Sequence, residues 1–301
     1  MPERRPCCLI VGGDSRLSRI LKPQLQIAGY DVVRTTRRVP SNKALFLDFA
    51  DVDDFEMPPH ITHAAIVGGI VDYKICDNQY DYAFDINCRK IPVLVGRLLE
   101  AGVFVCCLST NTVFTSSTVP AREYDIHNPA FKYALLKSKF EHQILTEALR
   151  RGKSDNLAIL RLTKNVGETT SPFNAWIDGL AEGKSISAFD DLHFAPVLFS
   201  RSAEAVREIF IRNLSGMFHM SGERDLNYVE FAAGLLKALG LPASLLNASS
   251  SIKAGVKLSY NHPITALNME LTTERLGLKP VAASEIYNYL GGLYRQKRGE
   301  A

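Results

Sequence analysis

Residues 1–165 alternate between short apolar runs and longer amphipathic stretches, and this alternation limits the fold more than any other feature. The apolar runs have the length of β-strands and lie at residues 7–11, 31–36, 44–47, 64–68, 103–108 and 157–162. Apolar residues at helical spacing predict helices over residues 17–28, 80–101 and 131–150. Strands joined by crossover helices run parallel and are covered on both faces. The sequence therefore predicts an α/β fold with a doubly wound, mainly parallel Rossmann-like sheet.

After residue 165 the rhythm loosens, which favours a smaller C-terminal α/β lobe for substrate binding. Helical spacing predicts helices at 175–182, 202–213, 229–239 and 283–296, with short strands at 186–189 and 216–220. We predict a cofactor-binding domain over residues 1–165 and a substrate-binding lobe over 166–301. Part of the 191–215 region is expected to return to the first domain.

The composition argues against a nucleic-acid or membrane partner. The net charge is +3 and the basic residues are dispersed, whereas a nucleic-acid groove needs them clustered. No apolar stretch approaches the length of a membrane span. The six cysteines contain no CxxC pair and no zinc-type spacing. We therefore predict buried thiols, no bound metal and a cytoplasmic location.

Tyr133 and Lys137 lie four residues apart, so a helix would place them on one face, one turn apart. A lysine ammonium near a phenol favours the phenolate and would lower the tyrosine pKa toward neutrality. Such a phenol suits proton transfer to or from a carbonyl or alcohol oxygen. Because the spacing also arises by chance, its meaning depends on the residues upstream.

The turn after the first strand reads Gly-Gly-Asp-Ser-Arg-Leu-Ser from Gly12 to Ser18. In a Rossmann fold, glycines at this turn let the backbone approach a dinucleotide pyrophosphate at a helix N-terminus. Ser15 and Ser18 stand at the second and third glycine positions, where serine can bind phosphate or cap the helix. We predict a cofactor-binding turn, and a tight turn without a ligand is the alternative. The residues predicted to contact the cofactor here are Gly12, Asp14, Ser15, Arg16 and Leu17.

The second strand is followed by basic rather than acidic residues. An NAD site usually has Asp or Glu about 20 residues after the glycines, but residues 32–47 contain no acid. Arg37 and Arg38 lie in this segment, and arginine can bind a 2′-phosphate through two hydrogen bonds. We predict NADP as the preferred cofactor and NAD as the alternative, unless this is a solvent-exposed basic loop. Asp48 is placed to approach the adenine or to cap the next segment.

A cluster of polar side chains with three hydroxyl groups, Ser109-Thr110-Asn111-Thr112, ends the fifth strand. Open α/β sheets bind their ligands outside the carboxyl ends of the strands. A hydroxyl on Thr110 could therefore donate a hydrogen bond to a substrate oxygen while Tyr133 delivers the proton. Taken alone, such a run is also common in turns.

The Gly12 turn, the Thr110 segment and the Tyr133/Lys137 pair, in that order and spacing, resemble an extended short-chain dehydrogenase/reductase. Ser109-Thr110-Asn111-Thr112-Val113-Phe114 resembles a Ser-Thr-Asp-Tyr-Val-Phe-like strand end of the dTDP-4-dehydrorhamnose reductase-like, sugar-nucleotide-binding family. Arg161-Leu162-Thr163 and Phe194-Ala195-Pro196 are similar to two further segments of that family. The resemblance covers nearly the whole chain and is strongest over residues 7–165.

The resemblance implies an NADP-dependent reductase of a 4-keto nucleotide sugar. Tyr133 would protonate the ketone oxygen, Lys137 would lower the tyrosine pKa and bind the nicotinamide ribose, and Thr110 would polarise the carbonyl. The residues expected to contact the substrate are Asn87, Thr112, Thr163 and Trp176. The family also commonly forms homodimers through the helices at 80–101 and 131–150.

Two other functions agree with the same resemblance. Some relatives are non-catalytic, NADP-binding regulatory subunits, such as the beta subunit of methionine adenosyltransferase, and the serines of the turn are compatible with this role. A nucleotide-sugar epimerase acting through a transient 4-keto intermediate is the second. Dehydration is not expected, because sugar-nucleotide dehydratases follow the catalytic hydroxyl with an Asp-Glu pair, and Asn111 and Thr112 stand there.

Several other polar residues favour structural roles. His193 and His219 lie in apolar surroundings and are expected in the core or the cleft rather than as ligands. Asp190-Asp191 fits a turn better than a metal or sugar site. Trp176 could pack within the lobe at helical spacing or form the floor of a nucleotide pocket. The family's Arg-Pro segment has no clear counterpart at residues 261–263.

Overall fold

The computed structural model describes residues 5–38, 44–115, 118–256 and 261–300, so the start of the polar N-terminal segment lies outside it. The strands are β1 (Cys7–Val11), β2 (Asp31–Thr36), β3 (Leu45–Phe46), β4 (Ile61–Ile66), β5 (Phe104–Thr110), β6 (Leu157–Leu162), β7 (Lys164–Val166), β8 (Ile186–Phe189), β9 (His193–Phe194), β10 (Pro196–Leu198), β11 (Gly216–Met220), β12 (Leu226–Asn227) and β13 (Leu246–Ser249). The α-helices are α1 (Arg16–Ile27), α2 (Tyr73–Asn78), α3 (Tyr80–Phe84), α4 (Ile91–Glu100), α5 (Lys132–Arg150), α6 (Phe173–Ala181), α7 (Phe199–Arg212), α8 (Tyr228–Leu239), α9 (Glu270–Leu276) and α10 (Ala283–Arg298). No helix within these ranges is both long and apolar enough to cross a bilayer.

The central sheet has seven parallel strands in the order β11-β6-β5-β4-β1-β2-β3. The strand order reverses between β1 and β4, so the connections leave these two strands toward opposite sides and open a crevice at their carboxyl ends. The predicted doubly wound, parallel Rossmann-like fold is confirmed. The last strand, β11, comes from the second half of the chain and extends the sheet beside β6.

The sheet has an apolar core on each face, because successive strand residues point to opposite sides. Cys8 and Ile10 of β1 belong to the core shared with α1 and α7. Leu9 and Val11 belong to the core shared with α4 and α5. The near-continuous apolar strands of the sequence are therefore buried on both faces, as a parallel sheet requires.

Helix α1 shows how local sequence fixes the element that faces the crevice. Its N-cap is Ser15, whose Oγ accepts a hydrogen bond of 3.2 Å from the backbone N–H of Ser18. Leu17, Leu21 and Leu25 are buried against the sheet at helical spacing. The helix ends before Gly29, which has a φ of 91° that favours glycine.

The helix predicted at residues 80–101 is interrupted by a π-helical turn at Asp85–Lys90, between α3 and α4. Pro92 lacks the N–H that would bond the carbonyl of residue 88, so regular α-helical bonding cannot continue through this point. Helix α2 and the short elements α9 and β13 were not predicted. They are only 4 to 7 residues long, too short to give a clear periodic signal.

The second half of the chain adds three two-stranded sheets, β7 with β10, β9 with β12 and β8 with β13. Strands were predicted at the residues of β8 and β11, and both are present. Helix α8 begins with a capping box, in which Asn227 and Glu230 each bond the other's backbone N–H. The proposed domain boundary at residue 165 remains a prediction.

Candidate functional site

Two adjoining cavities lie at the carboxyl ends of the central strands. The first has a volume of about 560 Å³ and lies beside β1 and β2. The second, of about 640 Å³, lies beside β5 and β6. Ser15, Val67, Gly68 and Val71 line both, so the cavities form one continuous cleft. This is the position at which open α/β sheets bind ligands.

The Gly12 turn packs so closely against the loop after β4 that position 12 has no space for a side chain. Gly12 has a φ of 89°, and a Cβ on it would lie 2.6 Å from Cα of Gly68. A side chain at position 12 would therefore clash with Gly68 in the loop after β4. The serine at position 15 caps α1, and the N–H groups of Arg16 and Leu17 begin the helix without an intrahelical partner. A helix N-terminus of this kind attracts an anion such as a pyrophosphate.

Ser18 occupies the third glycine position of the turn. Its side chain is fully buried and its Oγ has no hydrogen-bond partner within the described chain. The serine is thus accommodated between α1 and the sheet, at the cost of one unpaired hydroxyl. The sequence suggested that these serines bind phosphate or cap the helix. Ser15 caps α1, and the buried Ser18 does neither.

The predicted adenosine end of the cofactor site lies in the first cavity. Arg37, Arg38, Asp14 and Asp48 all line it. Asp48 also caps the turn that follows, since its Oδ1 accepts a hydrogen bond of 3.0 Å from the N–H of Ala50. Both predicted roles of Asp48 are therefore compatible with its position.

The three predicted catalytic residues converge in the second cavity. Strand β5 ends at Thr110, and α5 presents Tyr133 and Lys137 from its first two turns. The side chain of Thr110 lies close enough to Tyr133 to lower the pKa of its phenol, and Oγ1 of Thr110 donates a hydrogen bond of 3.3 Å to Oδ1 of Asn111. The backbone N–H of Thr112 donates to Oγ1 of Thr110 at 3.2 Å, and the two threonine hydroxyls are also 3.2 Å apart. Thr112 therefore orients the hydroxyl that faces Tyr133.

The phenol of Tyr133 is more protonated than the sequence predicted. Burial raises its pKa well above the ordinary value, and Tyr73 raises it further, against a smaller lowering by Thr110. The rings of Tyr73 and Tyr133 lie 4.9 Å apart between centroids. The expected shift of this pKa toward neutrality is therefore wrong.

The position of Lys137 explains that difference. Its Nζ donates a hydrogen bond of 2.8 Å to the carbonyl oxygen of Leu108 and lies 4.2 Å from the ring centroid of Phe140. Burial lowers the pKa of Lys137 to about 8, although Glu141 acts in the opposite direction. The ammonium interacts with the strand rather than with the phenol.

Asn87 lies outside both cavities, in contrast to its predicted contact with substrate. It is buried in the π-helical turn, where its Oδ1 accepts from the N–H of Ile70 at 2.9 Å and its Nδ2 donates to the carbonyl of Ile70 at 2.8 Å. The amide is thereby engaged at both ends by backbone. Asn87 holds the loop after β4, which lines the first cavity.

Trp176 also lies outside the cavities. It is buried against Phe173 and Phe231, and its Nε1 donates to the carbonyl of Ser187 at 3.0 Å. These contacts agree with packing within the lobe and leave no face for a nucleotide. Thr163, in contrast, lines the second cavity with a buried Oγ1 that has no partner in the described structure.

Other cleft residues were not identified from the sequence. They come from α2, β7, the 192–194 segment, α8 and the 261–265 segment, and include Tyr73, Lys164, His193, Tyr228, Asn261, His262 and Thr265. For His193, the cleft was one of two expected positions. The polar pair Asn261-His262 before Pro263 is a sequence signal for this wall of the cleft, although it lacks the arginine of the family pattern.

Thr265 connects the 261–265 segment to Asn111, the residue after Thr110. Its carbonyl accepts a hydrogen bond of 2.8 Å from Nδ2 of Asn111. Oδ1 of Asp225 accepts from both the N–H and the hydroxyl of Thr265, each at 2.7 Å. Asn111, which follows Thr110, thus connects the end of β5 to the far wall of the cleft.

A buried ion pair joins α5 to β6. Nη2 of Arg161 is 2.7 Å from Oε2 of Glu141, and both side chains are almost completely shielded from solvent. Ser109 donates a short hydrogen bond to the same carboxylate. His219 lies beside this pair and is fully buried, so it is a core residue. Burial and the nearby Arg161 lower its pKa to about 3.

Asp191 has a structural role, because its carboxylate accepts hydrogen bonds from Ser250 and Ser251.

The charged side chains that line the second cavity are basic. Arg16, Lys137 and Lys164 line it, together with His193 and His262. No aspartate or glutamate occurs among its described lining residues. A cavity of this kind attracts anionic ligands.

Comparisons with known proteins agree with this arrangement. The family model for the RmlD substrate binding domain matches residues 7–277. Methionine adenosyltransferase 2 subunit beta of Bos taurus is 23% identical over 309 residues, covering 93% of this chain and 87% of that protein. The spore coat polysaccharide biosynthesis protein SpsK of Bacillus subtilis is 26% identical over 247 residues, covering 80% and 82%.

Among solved structures, a dTDP-4-dehydrorhamnose reductase of Clostridium acetobutylicum superposes with a TM-score of 0.78. The superposition covers 95% of this chain and 99% of that chain, at 19% sequence identity. At this identity the likeness concerns the fold.

Proposed function

Because this chain belongs to the RmlD substrate-binding domain family, we propose that it is an NADP-dependent reductase of a 4-keto nucleotide sugar. The family match confirms the resemblance to the extended short-chain dehydrogenase/reductases of sugar nucleotides. The observation that carries the proposal is the convergence of Thr110, Tyr133 and Lys137 in one cavity at the carboxyl ends of the strands.

Tyr133 would act as the general acid. Its raised pKa keeps the phenol protonated at neutral pH, as the donor of a proton to a ketone oxygen must be. Thr110 would place a second hydroxyl at the same oxygen and stabilise the negative charge that develops there. A nicotinamide cofactor, when bound, supplies the hydride that reduces the carbonyl carbon.

The residues that would hold the cofactor follow the continuous cleft. Gly12 lines the first cavity, and the amides of Arg16 and Leu17 at the start of α1 would bind the pyrophosphate. Arg37 and Arg38 support NADP, because two guanidinium groups can neutralise a 2′-phosphate. Lys137 would bind the nicotinamide ribose, because its ammonium can donate to a hydroxyl while it keeps the bond to Leu108.

The second cavity supports a sugar nucleotide as the substrate. Its cationic lining suits a diphosphate, while Tyr73 and Tyr228 offer aromatic faces for a sugar or base. The same lining argues against dehydration, which needs a carboxylic acid beside the catalytic hydroxyl. None of its described residues supplies one.

Cofactor oxidation tests this proposal. The purified protein with NADPH and a panel of dTDP- and UDP-linked 4-keto sugars should lose the absorbance of the reduced nicotinamide. Tyr133→Phe removes one hydroxyl and should lower kcat by about 10²–10⁴-fold, with an unchanged circular dichroism spectrum. Absence of turnover across the panel, although NADPH binds, would contradict the reductase assignment.

A regulatory subunit is the second candidate. It is favoured by the similarity to methionine adenosyltransferase 2 subunit beta, which extends over 93% of this chain. In that case the protein should bind a catalytic methionine adenosyltransferase subunit with defined stoichiometry in size-exclusion chromatography. Tyr133→Phe should then leave the activity of that partner unchanged. An epimerase would instead retain tightly bound cofactor and consume no NADPH overall.

We also infer a homodimer and a reducing compartment. Helices α4 and α5 expose Val93, Leu145 and Leu149 to solvent, and a helix pair of this kind could be covered by a second copy. The six cysteines form no disulfide, which suits the cytoplasm. Sedimentation equilibrium at micromolar concentration would test the dimer.

A further inference from the structure

Asp14 places a carboxylate at the end of β2, where the sequence predicted only cations. The side chain belongs to the Gly12 turn, is exposed to the first cavity and lines it together with Arg37 and Arg38. Oγ1 of Thr36, the last residue of β2, donates a hydrogen bond of 2.7 Å to Oδ2 of Asp14. The N–H of Arg38 in turn donates to Oγ1 of Thr36 at 3.0 Å.

This hydrogen-bond chain orients the carboxylate without neutralising it. Within the described ranges, no ion pair joins Asp14 to an arginine or lysine. The nearby Arg34 is engaged elsewhere, since its Nη1 donates to the carbonyl of Gly13 at 3.3 Å. Thr36 uses one lone pair of Asp14, and the carboxylate keeps acceptor positions for a ligand in the cavity.

A carboxylate at the end of the second strand is the feature that accepts the adenosine-ribose hydroxyls of NAD. Here that residue is missing from β2, but Asp14 reaches the same end of the strand from the neighbouring turn. We propose that Asp14, held by Thr36, binds the adenosine ribose of NAD(H) and opposes the 2′-phosphate of NADP(H). The inference rests on the proposed function, because it assigns a residue within the same cofactor site.

The proposal implies a site with two opposed preferences. Arg37 and Arg38 attract a 2′-phosphate, whereas Asp14 repels it and favours a free hydroxyl. The wild-type protein should therefore bind both dinucleotides, with a smaller preference for NADPH than Asp14→Asn. The arginines alone would give a much stronger preference.

Fluorescence titration of the full chain with NADH and NADPH tests this role. Asp14→Asn keeps an acceptor for Thr36 and removes the charge. It should tighten NADPH binding and weaken NADH binding, so that the affinity ratio shifts by about tenfold or more toward NADPH. The shift should shrink in high salt, because screening weakens the repulsion that the substitution removes.

Asp31→Asn is the matched control, since Asp31 is an exposed acid at the opposite end of the same strand. It changes the net charge equally and should leave the affinity ratio unchanged. Asp14→Ser serves as a second variant if Asp14→Asn does not fold, and should shift the ratio in the same direction.

The possible results separate this inference from the proposed function. An unchanged ratio in folded Asp14→Asn would mean that the Asp14–Thr36 bond only ties the turn to the strand, and would overturn the inference alone. If folded wild-type protein binds neither dinucleotide, both the inference and the reductase proposal are overturned.

Discussion

Nζ of Lys137 donates a hydrogen bond of 2.8 Å to the carbonyl oxygen of Leu108. This bond joins the helix that carries Tyr133 to the strand that ends in Thr110, so it fixes the two hydroxyl groups relative to each other. It also uses only one of the three ammonium hydrogens, which leaves donors for a ligand in the cleft.

We expect the reductase rate to fall above about pH 8, because burial lowers the pKa of Lys137 to about 8. Below that pH the ammonium is charged and can donate, and above it the charge and one donor are lost. The measurement is kcat/KM for NADPH oxidation over roughly pH 6–10. Lys137→Arg keeps the charge over this range and should remove the alkaline decline, even if its maximal rate is lower. A wild-type rate that stays constant to about pH 9.5 would contradict this role.

Asn87→Ala should destabilise the protein by about 2 kcal/mol, because it leaves the N–H and carbonyl of Ile70 without their partner. It should also weaken dinucleotide binding, since Ile70 and Gly69 line the first cavity. Urea unfolding and fluorescence titration measure the two effects. Asn87→Asp retains the acceptor for the N–H of Ile70 but sets a buried carboxylate oxygen against the carbonyl of Ile70, so it should destabilise the protein at least as much as Asn87→Ala. Equal stability of Asn87→Ala and wild type would show that the loop does not depend on this amide.

Arg161→Met should cost about 3–5 kcal/mol, because it leaves the carboxylate of Glu141 buried without its ion-pair partner. Removing both charges in Arg161→Met/Glu141→Leu should cost less than the sum of the single substitutions. A double-mutant cycle in urea measures this coupling. Strict additivity would mean that the two side chains stabilise the protein independently.

Alanine substitutions of the two serines of the Gly12 turn should change the free energy of unfolding in opposite directions. Ser18→Ala removes a buried hydroxyl that has no partner, and we expect it to raise the free energy of unfolding by up to about 1 kcal/mol. Ser15→Ala removes the cap of α1 and should lower it by about 1 kcal/mol. Thermal and urea unfolding of both variants provide the comparison. Destabilisation by Ser18→Ala would point to a polar contact of this hydroxyl in solution.

The sheet was predictable because its signal is local and strong. Buried parallel strands are continuously apolar, and β1, β2, β6, β8 and β11 were predicted at the residues where they occur. The π-helical turn at Asp85–Lys90 was not, since apolar spacing cannot distinguish a π-turn from an α-helix. The convergence of Thr110, Tyr133 and Lys137 followed from the strand order and the rule that ligands bind at carboxyl ends.

The electrostatics of the site depend on contacts that no local pattern encodes. The spacing of Tyr133 and Lys137 was correct, but the pKa of the phenol follows burial and the ring of Tyr73, which lies 60 residues upstream in sequence. Asp14 was predicted to contact cofactor only as part of the turn. Its bond to Thr36 spans 22 residues and appears only when β1 and β2 pair.

The hydrogen bond between Asn111 and Thr265 connects two segments that line the second cavity. One side of the cavity is the end of β5, and the other is a segment that Asp225 holds at two points. We therefore expect these two walls of the cleft to move little relative to each other when a ligand binds. On the proposed function, ring size and substituent orientation would then decide which sugars enter the second cavity.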